Sequence, residues 1–252
     1  DINTFFFLFA EDNAGYALKA GIYQHIPFKD TTKTKLYRSV YYQMIDEYFD
    51  PVERFRNPEF ERDWNLDLNK NYGDEHFINF NIDFQKQQKL KSHYDFELID
   101  KSTGFNAFKN HLKSSFKSTG WQVNADISYL QSDEIKHSTD FLRHQANISK
   151  DIAFFRIGVR EEQEINNWNS KDNDSLMSNS FSYQEWEAYI ENHDSVKNQY
   201  YISYKNRQDY LPLQGKMQYS TLGEDFSAGL NLNKNPNNQI RTSFTYRKLT
   251  VM

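Results

Sequence analysis

Apolar and polar residues alternate with period two along most of this chain. In 76–85, Ile78, Phe80, Ile82 and Phe84 share one face, and Asn79, Asn81 and Asp83 share the other. In 121–129, Trp121, Val123, Ala125, Ile127 and Tyr129 oppose Gln122, Asn124, Asp126 and Ser128. The same alternation runs through 92–99, 153–160, 200–204, 226–232 and 240–246. Helical spacing in these windows mixes charge with aromatics, so they read as half-buried strands. Asn sits largely in the gaps, where it can take left-handed turn positions. Candidate turns fall at 69–74, 85–89, 101–104, 117–120, 132–137, 149–151, 191–198, 209–214 and 233–238. All five prolines are expected in gaps, because a missing N–H breaks a ladder. The spacing predicts an all-β fold, an antiparallel up-and-down meander of about 14–15 long strands.

Two environments give a strand one apolar and one polar face. In a soluble sandwich the apolar face packs on a second sheet. In a transmembrane β-barrel it meets lipid, and the polar face lines a hydrated lumen. The predicted strands, at roughly 9–13 residues, exceed the five or six usual in soluble sheets and suffice to cross an outer membrane. The polar faces also carry charge strand after strand. The primary expectation is therefore a transmembrane barrel, or an arc of a larger one. The alternative is a soluble extracellular β-sandwich or jelly-roll binding module, possibly for glycans.

Composition sharpens this picture. Aromatics make up 17% of the chain, which argues against disorder despite 26% charged residues. A formal net charge of −5 argues against a nucleic-acid partner. Cysteine is absent, which removes disulfides, zinc–thiolate sites and a Cys nucleophile. No apolar run approaches the length of a transmembrane helix. The run Thr4–Ala10 reads as a strand, and lacks the basic flank of a signal peptide.

The stretch Tyr48–Leu68, YFDPVERFRNPEFERDWNLDL, leads directly into the alternating strands. It resembles a segment of large outer-membrane β-barrel proteins of Bacteroidota, in which an extended loop ending in Glu/Asp-Arg-Asp-Trp-Asn precedes a long strand series. The matching residues are Pro51, Glu53, Arg56, Glu59, Phe60, Arg62, Asp63, Trp64 and Asn65. The closing stretch Ser243–Val251 is similar to an internal strand of such proteins. The resemblance implies the bacterial outer membrane as location. It implies a class that includes secretion translocons, assembly factors and uncharacterised surface barrels. The role implied is transport, secretion or membrane assembly. Expected partners are outer-membrane lipid and other outer-membrane or periplasmic proteins. Asp1 and Met252 both adjoin strands, so the chain reads as an excerpt of a longer polypeptide. Within a single domain, 1–252, residues 46–62 form an extended, plug-like loop and 166–180 a long exposed loop.

Candidate chemistry is sparse. Seven histidines are scattered without HExxH or His-x-His spacing. Asp172-Asn173-Asp174-Ser175 lacks the glycine and distal glutamate of a calcium loop. Glu161, Glu162 and Glu164 read as a solvated rim. No GxSxG, P-loop or GxGxxG occurs. The expectation is a protein with no catalytic residue, no cofactor and no metal. Glu53, Arg54, Arg56, Glu59, Arg62 and Asp63 interleave charges, either as a plug paired with lumen groups or as a solvated loop. Trp64, Tyr72, Trp121, Tyr129, Trp168 and Tyr210 are candidate interfacial anchors, since Trp and Tyr favour headgroup depth.

Overall fold

The computed structural model describes residues 2–10, 15–28, 33–49, 60–66, 73–192, 198–235 and 238–251. Thirteen strands form one sheet in strict sequence order. They are β1 (Ile2–Ala10), β2 (Tyr16–Pro27), β3 (Thr34–Ile45), β4 (Glu75–Lys86), β5 (Leu90–Lys101), β6 (Phe105–Ser118) and β7 (Trp121–Asp133). They continue as β8 (His137–Ile152), β9 (Phe155–Ser170), β10 (Phe181–Asn192), β11 (Asn198–Leu213), β12 (Lys216–Asn235) and β13 (Asn238–Val251). Each ladder is antiparallel and joins sequence neighbours. One short helix, α1 (Phe60–Asp63), lies between β3 and β4. The first and last strands therefore run in the same direction, and among the described residues no ladder joins them.

Among the described residues the strands number thirteen, against about 14–15 predicted, and they run longer, reaching 20 residues in β12. The expected gap at 149–151 lies inside β8, and the turn follows at 153–154. Residues 166–170 extend β9, so the exposed connection shortens to 171–180. Two prolines stand within strands, contrary to expectation. Pro27 closes β2, and Pro212 sits in β11 paired with Met217. Pro212 lies past Tyr210, the last residue of β11 that β10 reaches, so its missing N–H breaks no bond on that side.

The two ends of the sheet differ. One carries the short connections 87–89, 119–120 and 153–154, together with 28–33, 193–197 and 236–237. The other carries the long ones, 46–74 and 171–180, beside tight turns at 102–104, 134–136 and 214–215 and the connection 11–15. In the two-residue turns, Thr119–Gly120 and Gln214–Gly215 all take positive φ. That is the primed geometry whose twist matches a hairpin.

Register places the alternating residues on two faces. One face carries the apolar sets, and they stay open to the surroundings. Ile148 is 50% exposed, Ile202 52% and Phe244 59%. The other face is polar, yet it holds the packed core of Trp64, Phe77, Ile99, Phe105, Ala107, Leu130 and Phe141. A soluble sandwich would show the reverse, with its apolar face against a second sheet. Among the described residues all thirteen strands belong to a single sheet, and no second sheet packs on the apolar face as the sandwich alternative requires.

Candidate functional site

The apolar face is a band of limited height. In β4 it runs from Ile78 to Phe84, centred on Asn81, and in β12 from Phe226 to Leu232, centred on Gly229. Following the ladders from Asn81 through Asp95, His111, Ser128, Arg143, Glu164, Tyr183 and Asp209 leads to Thr221. The band centre in β12 thus lies eight residues from the straight row, over eight strands. At about 3.4 Å per residue and 4.8 Å per strand, this drift corresponds to a tilt of about 35°. Strands tilted by that much relative to a flat lipid layer produce this shear, and spanning barrels tilt by roughly 35–45°.

The long-loop edge of the band is marked by rings. Tyr42, Phe108, Tyr129, Trp186, Tyr204 and Tyr246 follow the same slanted line. Polar residues lie just beyond or beside them. The Tyr129 hydroxyl donates to Asp140 at 2.9 Å, and Tyr204 donates to Glu224 at 2.9 Å. Tyr42 pairs its hydroxyl with His76 Nδ1 at 2.6 Å. Each ring keeps an apolar body toward the band and a polar tip away from it. Asn110, a polar interruption of the band, accepts from the Tyr94 hydroxyl at 2.8 Å.

The polar face at the long-loop end is capped by the β3–β4 connection. Helix α1 closes with Asn65 in the left-handed region, φ 53°. Asn65 N donates to Arg62 O at 3.2 Å and Leu66 N to Glu61 O at 2.8 Å. This paired closure is a Schellman motif with asparagine where glycine is commoner. It turns Trp64 and Asn65 onto the sheet. Trp64 is 1% exposed, edge-on to Phe77, with Lys109 Nζ 4.9 Å from its ring centroid. Asn65 Nδ2 donates to Thr139 Oγ1 at 3.0 Å and to Asn166 Oδ1 at 3.1 Å, and Asn166 Nδ2 returns a bond at 3.2 Å. The Arg143 guanidinium donates to Asp63 at 3.0 Å. One alternation nearer the long-loop edge, Lys101 and Glu75 form a buried ion pair at 2.6 Å.

Toward the short-turn end the same face is open. It holds a hollow of about 790 Å³ lined by Tyr37, Asp83, Lys91, His93, Lys113 and Asp126, among others. A chain of alternating acids and imidazoles crosses four strands here. His93 bridges Asp83 at 2.6 Å and Asp95 at 2.5 Å, and His111 contacts Asp126 at 2.8 Å. Further round, Arg160 meets Glu187 at 2.9 Å and Lys205 meets Glu185 at 2.7 Å. Among the described residues, no group of His, Asp and Glu has the arrangement of a metal site.

The structure separates the residues singled out by sequence. Arg62 and Asp63 lie at the cap, with Asp63 on Arg143 and Arg62 largely exposed. Glu53, Arg54, Arg56, Glu59 and Tyr72 lie outside the described residues. Trp64 does not face lipid. It is the centre of the cap, because the Schellman turn directs it onto the polar face. Trp168 is also on the polar face, stacked on His137 at 4.9 Å. Tyr210 is on the apolar face but three alternations past Tyr204, and packs edge-on against Tyr219 at 5.5 Å. Trp121 lies on the apolar face at the short-turn end of β7, and Tyr129 on the same face at the long-loop edge of the band. Sequence reasoning missed Tyr42, Trp186, Tyr204 and Tyr246. Their signal is weak: for the last three, an aromatic at the final apolar position before a polar residue on the same face.

No family model matches the chain. No curated protein matches it significantly. Among solved structures it is similar to in-vitro folded OmpT, an outer membrane protein of Vibrio cholerae, with 10% identity and a TM-score of 0.46 over 99% of this chain and 85% of that one. It is similar to the loop L8 deletion of that protein at 10% identity and 0.45, over 99% and 91%. Likeness at this level says nothing about what the chain does.

Proposed function

We propose that this chain forms the wall of a bacterial outer-membrane β-barrel, with the polar face lining a hydrated lumen. One observation carries the reading. The apolar residues are exposed in a band that slants as tilted spanning strands require, while the packed core lies on the opposite, charged face. An exposed apolar surface of this extent marks a lipid or protein contact. The slant and the ring-lined edge favour lipid. The resemblance of residues 48–68 to large Bacteroidota barrels supports the same location. Trp121, Tyr129 and the ring line at the long-loop edge would sit at headgroup depth. The protruding strands and long connections would face outward, since spanning barrels keep short turns on the periplasmic side. The two edges of the sheet run parallel, so a fully antiparallel wall takes an odd number of further strands.

The role that follows is passage or assembly across the outer membrane, without catalysis by this chain. The Trp64 cap narrows the lumen at the long-loop end, and the open hollow leaves water and charge at the other. The test is recovery and mobility. The protein should fractionate with outer membranes and migrate faster on gels unboiled than boiled. A monomer that stays soluble and folded without detergent would overturn the reading.

A further inference from the structure

The acids and bases of the open hollow are not evenly matched in their engagements. Asp83, Asp95 and Asp126 are each bonded to an imidazole. Lys113 also leans on Asp126, at 3.5 Å, and Arg160 is held by Glu187. Lys35, Lys91 and Lys117 have no acidic partner among the described residues, and all three are exposed. The ladders bring them together. Lys35 pairs with Gln85, which pairs with Lys91, which pairs with Ser115, and Lys117 follows two residues on. All three therefore stand on the polar face at the short-turn end. The adjoining stretches 84–94 and 108–125 contain no Asp or Glu.

We propose that this mouth of the lumen is an anion-attracting vestibule, suited to carboxylate- or phosphate-bearing solutes. The inference rests on reading the polar face as a lumen. Its physical basis is a cluster of unpaired ammonium groups at the entrance of a concave hollow, where low-dielectric walls focus the field. The acids deeper in the hollow do not cancel it, because Asp83, Asp95 and Asp126 are outnumbered by Lys35, Lys91, Lys113 and Lys117. An anionic solute entering from the short-turn side would meet Lys91 and Lys117 first.

Ser115 lies between these lysines on the same face, and the chain has no cysteine, so Ser115→Cys gives a unique thiol. In detergent-solubilised, folded protein, its rates with an anionic and a cationic methanethiosulfonate are measured and each divided by the rate for 2-mercaptoethanol, an uncharged free thiol. A local potential of about 1 kT shifts the ratio of the two about sevenfold, and clefts of one sign reach several kT. The anionic reagent should be favoured by sevenfold or more. The preference should fall to near parity in K35Q/K91Q/K117Q, and also in 1 M salt, where screening acts within about 3 Å. These lysines are exposed, so the triple variant should retain the fold, checked by heat-modifiable mobility. Equal rates in the parent, or a preference unchanged in the triple variant, would overturn the vestibule. A protein that is soluble without detergent would instead undo the lumen reading, whatever the thiol rates.

Discussion

The two ends of the polar face start from the same alternation and reach opposite states. At the long-loop end, polar-face positions are filled by Phe77, Ile99, Phe105, Leu130 and Phe141, and Trp64 descends onto them. At the short-turn end, equivalent positions are Asp83, His93, Lys113 and Asp126, and among the described residues no segment covers them. Period two decides which face a residue takes. Whether that face is dry depends on a segment that folds back onto it, and among the described residues 60–66 supply one here. Energetics should differ accordingly: loss of a buried group should cost several kcal/mol at the cap and little in the hollow.

The largest effect should come from Trp64→Ala. Truncating a fully buried Trp removes its transfer energy and leaves a cavity, typically about 3–5 kcal/mol. It also releases the ring from Phe77 and from Lys109. Urea unfolding from lipid vesicles should show a loss in this range. A change under about 1 kcal/mol would mean the cap is not packed as described.

Asn65 should matter next, and for two separable reasons. Asn65→Gly keeps the left-handed turn but loses the amide pair with Asn166 and the bond to Thr139. Asn65→Ala loses the bonds and also strains the turn, because a Cβ disfavours φ near 53°. Net hydrogen bonds are worth about 1 kcal/mol, and a group left unsatisfied in a buried site costs about 1–3 kcal/mol. Alanine should therefore cost roughly 1–2 kcal/mol more than glycine, the usual left-handed penalty. If the two variants matched, the Schellman turn would not be holding the cap.

Much of this architecture is legible in the sequence, and the limits are physical. Alternation alone assigns Ile78 to Phe84 and Trp121 to Tyr129 to one face, because side chains on a strand have only two directions. The strand ends are harder to read. Residues 149–151 look like a turn, yet Lys150 and Asp151 continue β8, since its ladder with β9 runs on to Ile152 and Phe155. The cap is not legible, because Asn65 meets Asn166 across 101 residues of chain and no local pattern encodes that meeting. Trp64 reads as an interfacial residue for the same reason. A Trp beside Asp63 and Asn65 looks amphipathic in sequence, and only the turn at Asn65 shows that its ring points to the sheet. The ring line of Tyr42, Trp186, Tyr204 and Tyr246 needs the register of every ladder before its slant becomes visible.

The smallest effect should fall in the hollow. Arg160 and Glu187 form a bond of 2.9 Å, as short as the Arg143–Asp63 pair at the cap. Distance is not what sets their value. The Arg160 side chain is 46% exposed, so water and salt screen the pair, and exposed pairs contribute about 0–1 kcal/mol. Glu187→Gln leaves a carbonyl that can still accept from Arg160, so the change in unfolding energy should stay under about 1 kcal/mol. It should also shrink in high salt, whereas the Trp64→Ala loss should not, because burial of a ring is insensitive to screening. A loss of 3 kcal/mol or more at Glu187 would mean that the pair is desolvated. The short-turn half of the polar face would then be covered by something as dry as the cap, and the contrast between the two ends would disappear.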